Sequence, residues 1–584
     1  MSTGWFDFDG RRIPFEPGQS VGAALWAAGE HVLRTTRVTG TPRGVFCGIG
    51  ICHDCLVVID GVGDQRACLT PAASGMSVAP QAGVVPPPLE SHAASESVVA
   101  EEVSTDVVVI GGGPAGLAAA AAATADGAKV VLLDAEARLG GQYWRHGPGG
   151  LGPHHHGVEA WQGLEAAVGG AAAIGLLHHR PRHRVWRLDV AAVPGKVVVH
   201  ALDGGTERPD GPGERAVTLI ASAVVVATGA HDRVLPFPGW DLPGVLSAGG
   251  AQALLKEHQV LPGRRVVVAG TGPFLLSLAA SLVQAGAEVA AVFEAGDGRA
   301  WARRWRTATA VPQVLVEAAQ YATTLARQRV PIRPRHAVVS ARGRDRLEAV
   351  EVMRLTADGH LVPGSARWVR ADALAVGWGF TPRLELAQQA GCTVGASHLI
   401  AHAETPAVVA DAEGRTGVAG VFVAGEVVGV GGAALAQVTG RLAGAAAAAR
   451  ARGVPSAPDG ADLARRRKLA AFAATMHLAH PVRPAWLEAV TPQTVMCRCE
   501  EVDAERLRGV VRDLGATDAR SAKLLSRCGM GWCQGRICGE GIDRLVADAT
   551  GRRPGQFVDS RPVAAPPRLA SLVESSDELD RIEG

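Results

Sequence analysis

From Trp5 the chain reads WFDFDGRRIPF, with apolar and polar positions alternating on either side of Asp9-Gly10. Period-two alternation marks a half-buried strand, and Asp-Gly suits the positive φ angles of a two-residue loop, so the run predicts a β-hairpin. An apolar helical stretch, VGAALWAAG, follows. From Val78 to Ser104 the patterning gives way to Pro, Ser and acid, the composition of a linker. Two longer stretches, 106–134 and 265–294, share one pattern: an apolar run, a glycine turn, a helical run and a second apolar run. Each predicts a βαβ unit. A third glycine-rich return occupies 416–450, and ARGVPSAPDGADLARRRK (451–468) predicts a second linker, its basic end on a solvated face. A small cysteine-bearing segment runs to about 545 before a polar tail.

Composition then excludes several classes. The 584 residues carry 58 Lys+Arg against 57 Asp+Glu, so bulk charge does not hold nucleic acid or an anionic membrane. At 47% hydrophobic and 20% charged, the chain reads as globular rather than disordered. No apolar run reaches the ~20 residues of a transmembrane segment without Gly or charge interrupting it. MSTGWFDFDG, with two acids and no basic stretch, is not a secretory signal. A soluble, cytoplasmic protein is expected, peripheral to a membrane only through an electron acceptor. Nine of the ten cysteines fall into two groups, one near each end, and Cys392 stands apart. Thiols clustered this way in a chain without a secretory signal point to metal rather than disulfides.

Cys47, Cys52, Cys55 and Cys68 form C-x4-C-x2-C-x12-C, whose first two spacings are those of plant-type [2Fe–2S] ferredoxins. Gly48 and Gly50 let the loop curl so that backbone N–H groups face the cluster sulfurs. A four-cysteine zinc site is the alternative, but such sites usually show paired C-x2-4-C knuckles. Further on, DVVVIGGGPAGLAAAAAATADGAKVVLLDA places Gly111-x-Gly113-x-x-Gly116 between a strand and a helix, with Pro114 and Ala115 inside the turn. Gly111 makes the tight turn, Gly113 lets a pyrophosphate approach, and Gly116 allows close helix–strand packing. Asp134 ends the next strand, where an acid accepts from ribose hydroxyls. The later segments resemble, in their order along the chain, those of two-dinucleotide flavoproteins, and the resemblance implies FAD, although each alone could be ordinary α/β core. They are LGGQYW (Gly140, Gly141, Gln142), VVVATGAHD (Thr228, Gly229) and VFVAGEVVGVGGAALAQ. In the last, Gly425 precedes Glu426, an acid placed for the ribityl chain where many relatives have Asp, and Gly431-Gly432-Ala433 opens a helix aimed at the flavin.

The second unit has Gly270 and Gly272 but Leu275 in place of the third glycine. Glu294 is placed for a ribose, and Arg299, Arg303 and Arg304 either meet a phosphate or form a solvated face. NAD(P) binding here is doubtful, and a structural nucleotide fold is the alternative. Between Cys68 and Cys497 only Cys392 occurs, which rules out a redox cysteine pair beside the flavin. No catalytic constellation is identifiable. His154-His155-His156, in a Gly/Pro-rich loop, is read as solvent-facing rather than metal-binding. Trp301 and Trp305 are read as sharing a helical face for packing or an interface.

MCRCEEV…LLSRCGMGWCQGRICGE contains C-x-C and three further thiols, one more than a [2Fe–2S] centre needs. It resembles bacterioferritin-associated ferredoxin domains, in which a little over thirty residues separate the two cysteine pairs. Cys499 to Cys533 leaves 33 between and Cys499 to Cys528 leaves 28. The resemblance thus implies Cys497, Cys499, Cys533 and Cys538 as ligands, with Cys528 a bystander. The x4 of Cys533–Cys538 departs from the usual x2, and zinc stays open as an alternative.

Through GGGPAG, GGQ, ATG, CRCEEV and CGMGWCQGRICG the chain resembles the FAD-containing alpha subunit of heteromeric amino-acid dehydrogenase/oxidase complexes. These include opine oxidases, hydroxyproline dehydrogenases, hydrogen cyanide synthase and, more distantly, sarcosine oxidase. The N-terminal segment resembles the small iron–sulfur subunit of such complexes, here fused. The resemblance implies an α/β fold with two dinucleotide-binding domains, a β-grasp ferredoxin-like domain before them and a small helical [2Fe–2S] domain after them. The divisions are 1–77 (ferredoxin-like), 78–104 (linker), 105–245 with 372–450 (FAD), 246–371 (NAD(P)-binding-like), 451–485 (linker), 486–545 (C-terminal [2Fe–2S]) and 546–584 (tail). It further implies FAD, two [2Fe–2S] clusters and, from some relatives, an FMN at a subunit interface. The partners implied are a flavoprotein beta subunit of the amino-acid oxidase type, which oxidises an imino acid, secondary amino acid or opine, and a downstream electron acceptor. A free-standing NAD(P)H-dependent reductase and a non-catalytic redox scaffold or sensor are the alternatives.

Overall fold

The computed structural model describes residues 4–85, 101–152, 155–204, 215–309, 311–554 and 562–566. The hairpin forms as the alternation predicts: Gly4–Phe8 pairs with Arg11–Phe15, and Asp9 (φ 51°) and Gly10 (φ 82°) make the turn. Strand Ser77–Ala82 runs parallel to the first strand and antiparallel to Leu56–Ile59, closing a mixed sheet. Helix α1 (Val21–Ala27) buries Val21, Ala24, Leu25 and Trp26, and the Ser20 hydroxyl caps it by accepting from Ala23 N. Val78 therefore lies inside a strand rather than at the start of a linker. The next strand, Glu101–Ile110, also begins earlier than its apolar residues suggest, because Glu101, Glu102 and Ser104 extend the pairing while half exposed. Residues 86–100 of the expected linker lie outside the described residues.

The first dinucleotide domain is a sheet in the order Leu177–Arg180, Val130–Leu133, Glu101–Ile110, Arg215–Val226, Val197–Asp203, His183–Asp189. Val421–Val423 returns beside the end of Arg215–Val226. Helix α2 (Pro114–Ala125) crosses this sheet, and α3 (Val158–Ala173) leads into Leu177–Arg180. The second domain is a parallel sheet in the order Val245–Ser247, Ala373–Gly377, Arg265–Gly270, Glu288–Glu294, Ile332–Pro334. Its helices are α4 (Ala248–His258), α5 (Phe274–Gln284), α6 (Arg299–Arg303), α7 (Trp305–Ala308) and α8 (Pro312–Arg327). After α9 (Glu385–Gln389), α10 (Ala433–Ala451) lies against α2 through small residues. A Cβ on Gly440 would stand 2.1 Å from Ala115 O, and one on Gly444 2.1 Å from Ala119 O.

Two expectations need correction. Residues 460–479, read as a linker with a solvated helix at Arg465–Lys468, form helix α11 (Gly460–Ala479), which is packed rather than solvated along one side, and Asp459 caps it by accepting from Ala461 N. Prolines and glycine before it suggest a break, but Leu469, Ala470, Ala473 and Ala474 bury against α10. Trp301 and Trp305 do not share a face either, since the chain breaks at Arg304. Trp301 lies against Phe472, while Trp305 is 59% exposed. The C-terminal domain follows α12 (Ala485–Ala489) and comprises α13 (Ala504–Leu514), α14 (Ala519–Ser526) and α15 (Gly539–Thr550). Among the described residues no helix is long and apolar enough to cross a membrane.

Candidate functional site

A cavity of about 1100 Å³ lies where the two dinucleotide domains, the N-terminal domain and the C-terminal domain meet. That is room for a dinucleotide. Its walls include Gly111, Gly113, Pro114, Ala115, Asp134, Gly141, Gln142, Thr228, Gly229, Gly425, Glu426 and Ala433. Gly116 lies beneath them, where a Cβ would fall 1.7 Å from Gly111 O, so only glycine lets the helix start this close to its strand. The second glycine loop closes on the first: a Cβ on Gly141 would stand 2.8 Å from Gly113 Cα. Asp134 accepts from Gly112 N at 2.8 Å and from Glu136 N at 2.9 Å, which fixes its carboxylate at the rim of the fingerprint. Burial nonetheless pushes it up to about 7 against those two N–H groups. Glu426 accepts from Gly431 N (3.0 Å) and Gly432 N (2.9 Å), and burial lifts it to about 7 as well. These bonds hold Glu426 at the N-terminus of α10. The chain's glycine cradle and buried acids fit a dinucleotide whose hydroxyls face carboxylates.

The second nucleotide fold is filled differently. Leu275 is buried in the core, and the Glu294 carboxylate accepts from Thr271 Oγ1 (2.7 Å), Gly272 N (3.0 Å) and Gly296 N (2.7 Å). His480, just past α11, stands 3.5 Å from the same carboxylate and takes the Trp301 indole N–H at 3.1 Å. The two backbone bonds parallel those of Asp134, whereas Thr271 and His480 are contacts that Asp134 does not show. Arg299 pairs with Asp297, and Arg303 and Arg304 are exposed, which leaves them as a solvated face.

Cys47, Cys52, Cys55 and Cys68 are all buried, and Cys47 and Cys68 line the cavity. The thiols meet in two pairs, Cys47 with Cys52 and Cys55 with Cys68. Burial pushes Cys47 up, but the Cys52 thiol and the backbone N–H groups of Ile49, Cys52 and Ile51 bring it down to about 7. The loop's left-handed glycines, Gly48 (φ 64°) and Gly50 (φ 72°), aim those N–H groups at sulfur. Four buried thiols ringed by amide donors fit an iron–sulfur centre.

At the other end all five cysteines converge. The sulfurs of Cys497, Cys528 and Cys538 lie within 4.8 Å of one another, and Cys499 and Cys533 adjoin them. The placement of Cys528 as a bystander is corrected to this extent: it is fully buried among the candidate ligands. Counting residues between pairs cannot reveal that α14 returns its C-terminal end onto Cys497, where Gly529 N donates to the sulfur at 3.4 Å. Cys392 lies in the apolar core of the first domain, away from both groups.

The histidine loop also differs from expectation. His154 lies outside the described residues, but His155 is buried with its ring bonded to Arg145 O at 2.6 Å, and His156 meets Tyr321 edge-on. Sequence reasoning missed Gln252 and Lys256, one turn apart on α4, which are buried and line the cavity. The signal is two polar residues at i and i+4 in an otherwise apolar helix start. Burial lowers Lys256 to about 8, with no carboxylate contributing an opposing pull. The tail beyond 545 also takes part. α15 runs to Thr550, and Ala564, Ala565 and Pro566 reach the cavity wall, held by the Arg536 guanidinium.

Comparison with known proteins places these features. The family model for pyridine nucleotide-disulphide oxidoreductases matches residues 105–451, and that for a 2Fe-2S iron-sulfur cluster binding domain matches 5–83. An opine oxidase subunit of Agrobacterium tumefaciens is 33% identical over 439 residues, covering 72% of this chain and 82% of its own. The HcnB subunit of hydrogen cyanide synthase from Pseudomonas aeruginosa is 32% identical over 461 residues, covering 75% and 93%. The alpha subunit of sarcosine oxidase from a Corynebacterium is 31% identical over 395 residues, covering 65% of this chain and 38% of its own. Among solved structures, L-proline dehydrogenase from P. horikoshii superposes with a TM-score of 0.66 at 21% identity, over 97% of this chain and 96% of that one, a likeness of fold.

Proposed function

Since the chain belongs to the family of FAD-type oxidoreductase subunits that includes HcnB and its opine oxidase counterpart, with a 2Fe-2S domain at its N-terminus, we propose that it is the electron-transferring alpha subunit of a heteromeric amine or amino-acid dehydrogenase. One observation carries the reading: the cavity formed by the FAD loops is also walled by Cys47 and Cys68. Held here, FAD would supply a carrier that takes two electrons together and releases them one at a time, and an iron–sulfur centre would supply a one-electron carrier. The residues on this chain bind and orient. Gly113 and Gly141 admit the pyrophosphate, Asp134 and Glu426 offer carboxylates to the ribose and ribityl hydroxyls, and Ala433 starts the helix aimed at the flavin. The five C-terminal thiols support a second centre, for which Cys497, Cys499, Cys533 and Cys538 are the proposed ligands.

The donor is proposed to be an imino acid, secondary amino acid or opine, oxidised at its CH–NH bond on a partner flavoprotein. Oxidation there would give an imine, with the hydride taken by the partner, the N–H proton released to solvent and the two electrons passed on to this chain. The competing reading, direct reduction by NAD(P)H, needs a working second nucleotide site, and Leu275 in place of the third glycine, with His480 beside Glu294, weighs against it. Anaerobic stopped-flow decides between them. The purified chain, with one FAD and about four irons if both centres are [2Fe–2S], should keep its flavin absorbance for minutes with NADH or NADPH. Bleaching within seconds without a partner would overturn the relay reading and favour the free-standing reductase.

A further inference from the structure

We infer that the two cysteine loops are built as one coupled pair, with Arg498 and Asp54 as positioning residues between their two centres. The inference rests on the reading that each loop holds an iron–sulfur centre. Asp54 sits between Cys52 and Cys55, and Arg498 sits between Cys497 and Cys499. Each is thus flanked by two proposed ligands of its own centre. Arg498 Nε donates to Asp54 Oδ2 at 2.7 Å, with side-chain exposures of 4% and 0%. No surface ion pair is this dry, and its strength is not screened by solvent.

Several independent contacts bring the same loops together. Cys499 Sγ lies 4.0 Å from Cys52 O. The His53 ring, next to Cys52, meets the Trp532 ring, next to Cys533, at 6.0 Å edge-on. Arg498 is also fixed from the side: its Nη1 donates to Trp240 O at 2.8 Å, and its guanidinium lies 4.1 Å from the Phe46 ring, which precedes Cys47. Arg34 Nη2 reaches Asp54 at 3.3 Å, while Arg43 Nη2 pairs with Asp241 at 3.0 Å. Around this junction three guanidinium groups face two carboxylates. A net positive charge is therefore buried between two loops that would each surround an anionic centre, where it lowers their mutual repulsion. Outside the junction, Glu501 accepts from Val38 N and Thr39 N, both at 2.9 Å, clamping the C-terminal domain to the N-terminal one.

The coupling predicts charge-signed shifts in redox potential. Removing the positive group makes both centres harder to reduce, and removing the negative group makes both easier. The full chain is purified anaerobically, assayed for iron, poised at a series of potentials and followed by electron paramagnetic resonance. In the wild type, about four irons and mutual broadening of the two signals on full reduction are expected. Arg498→Leu should lower both potentials by at least a tenfold change in the reduction equilibrium, about 59 mV for one electron. Asp54→Asn should raise both, and Arg498→Lys should return them towards the wild type. A structural role alone would not reverse sign between Asp54→Asn and Arg498→Leu. Should Arg498→Leu lose iron, the isosteric Asp54→Asn still carries the sign, with the charge-keeping Arg498→Lys, expected near the wild-type potentials, as its control. Shifts of one sign in both variants, or a shift at one centre only with four irons present, would overturn the inference alone. Two irons in the wild type would overturn the two-centre reading and the inference together.

Discussion

A buried cation without a carboxylate partner is costly, and Lys256 is one. Its ammonium is held at about 8, below its ordinary 10.5, by burial in the flavin cavity. A lowered lysine means that the unfolded chain binds more protons between pH 8 and 10.5, so stability rises with pH across that window. Lys256→Met should therefore raise the stability of the flavin-free protein at pH 7, by up to about 3 kcal/mol, and the gap to wild type should close by about pH 10. Thermal melts at both pH values check this, and a gap that widens with pH would refute it. Cys528 poses a different question, because it is as buried as Cys497, Cys533 and Cys538 and more so than Cys499. If it only packs beside them, Cys528→Ser keeps the C-terminal resonance signal while Cys538→Ser loses it. The reverse result would make Cys528 the ligand.

At the scale of elements, α2 and α10 pack side by side on one face of the first domain's sheet, and alanine and glycine set their distance. Gly440→Val would drive a side chain into Ala115 O and force the helices apart. Overpacking of this kind costs ~1–3 kcal/mol, and here it also displaces the fingerprint turn from Ala433. FAD content should fall several-fold while the iron of the N-terminal domain stays, as absorbance and iron assays on the same sample would show. The helix α8 bears Gln313, Val314, Glu317 and Tyr321 on the cavity wall, while Leu315 and Val316, with Trp305 of α7, face outward. A partner flavoprotein seated there would cover apolar surface and close the cavity in one step. Trp305→Asp combined with Val316→Asp should weaken heteromer formation at least tenfold without changing FAD or iron, and unchanged affinity by calorimetry would place the partner elsewhere.

What could be read in advance follows from how local the cause is. Gly111-x-Gly113-x-x-Gly116 and the Asp9-Gly10 hairpin are local demands on φ and on close approach, so the sequence displays them directly. Helix α11 is hidden because its burial depends on α10, and its alanines and arginines carry little periodic signal of their own. Cys528 and Lys256 escape sequence reasoning for a related cause: spacing along the chain says nothing about which loops meet across it. Likewise, the exposed Trp305 depends on a break at Arg304 that no glycine or proline announces.

The whole molecule joins its first domain to its last. Besides the Glu501 clamp, the N-terminal domain is tied to the middle of the chain by Gln19 Nε2 donating to His258 O (3.1 Å) and Trp26 Nε1 donating to Pro262 O (3.1 Å). Its cysteine loop rests on α4, where Cβ atoms on Gly48 and Gly250 would meet the opposite backbone. The Arg498–Asp54 pair spans 444 residues of sequence. During synthesis at ~5–20 residues per second, Asp54 leaves the ribosome roughly twenty to ninety seconds before its partner exists. Until residue 498 exists, the face of the first domain that bears Asp54 lacks the segment that covers it in the complete fold, so its thiol loop would be open to iron for that interval. The order of translation would then set an order of assembly, with the first centre loaded early and sealed late.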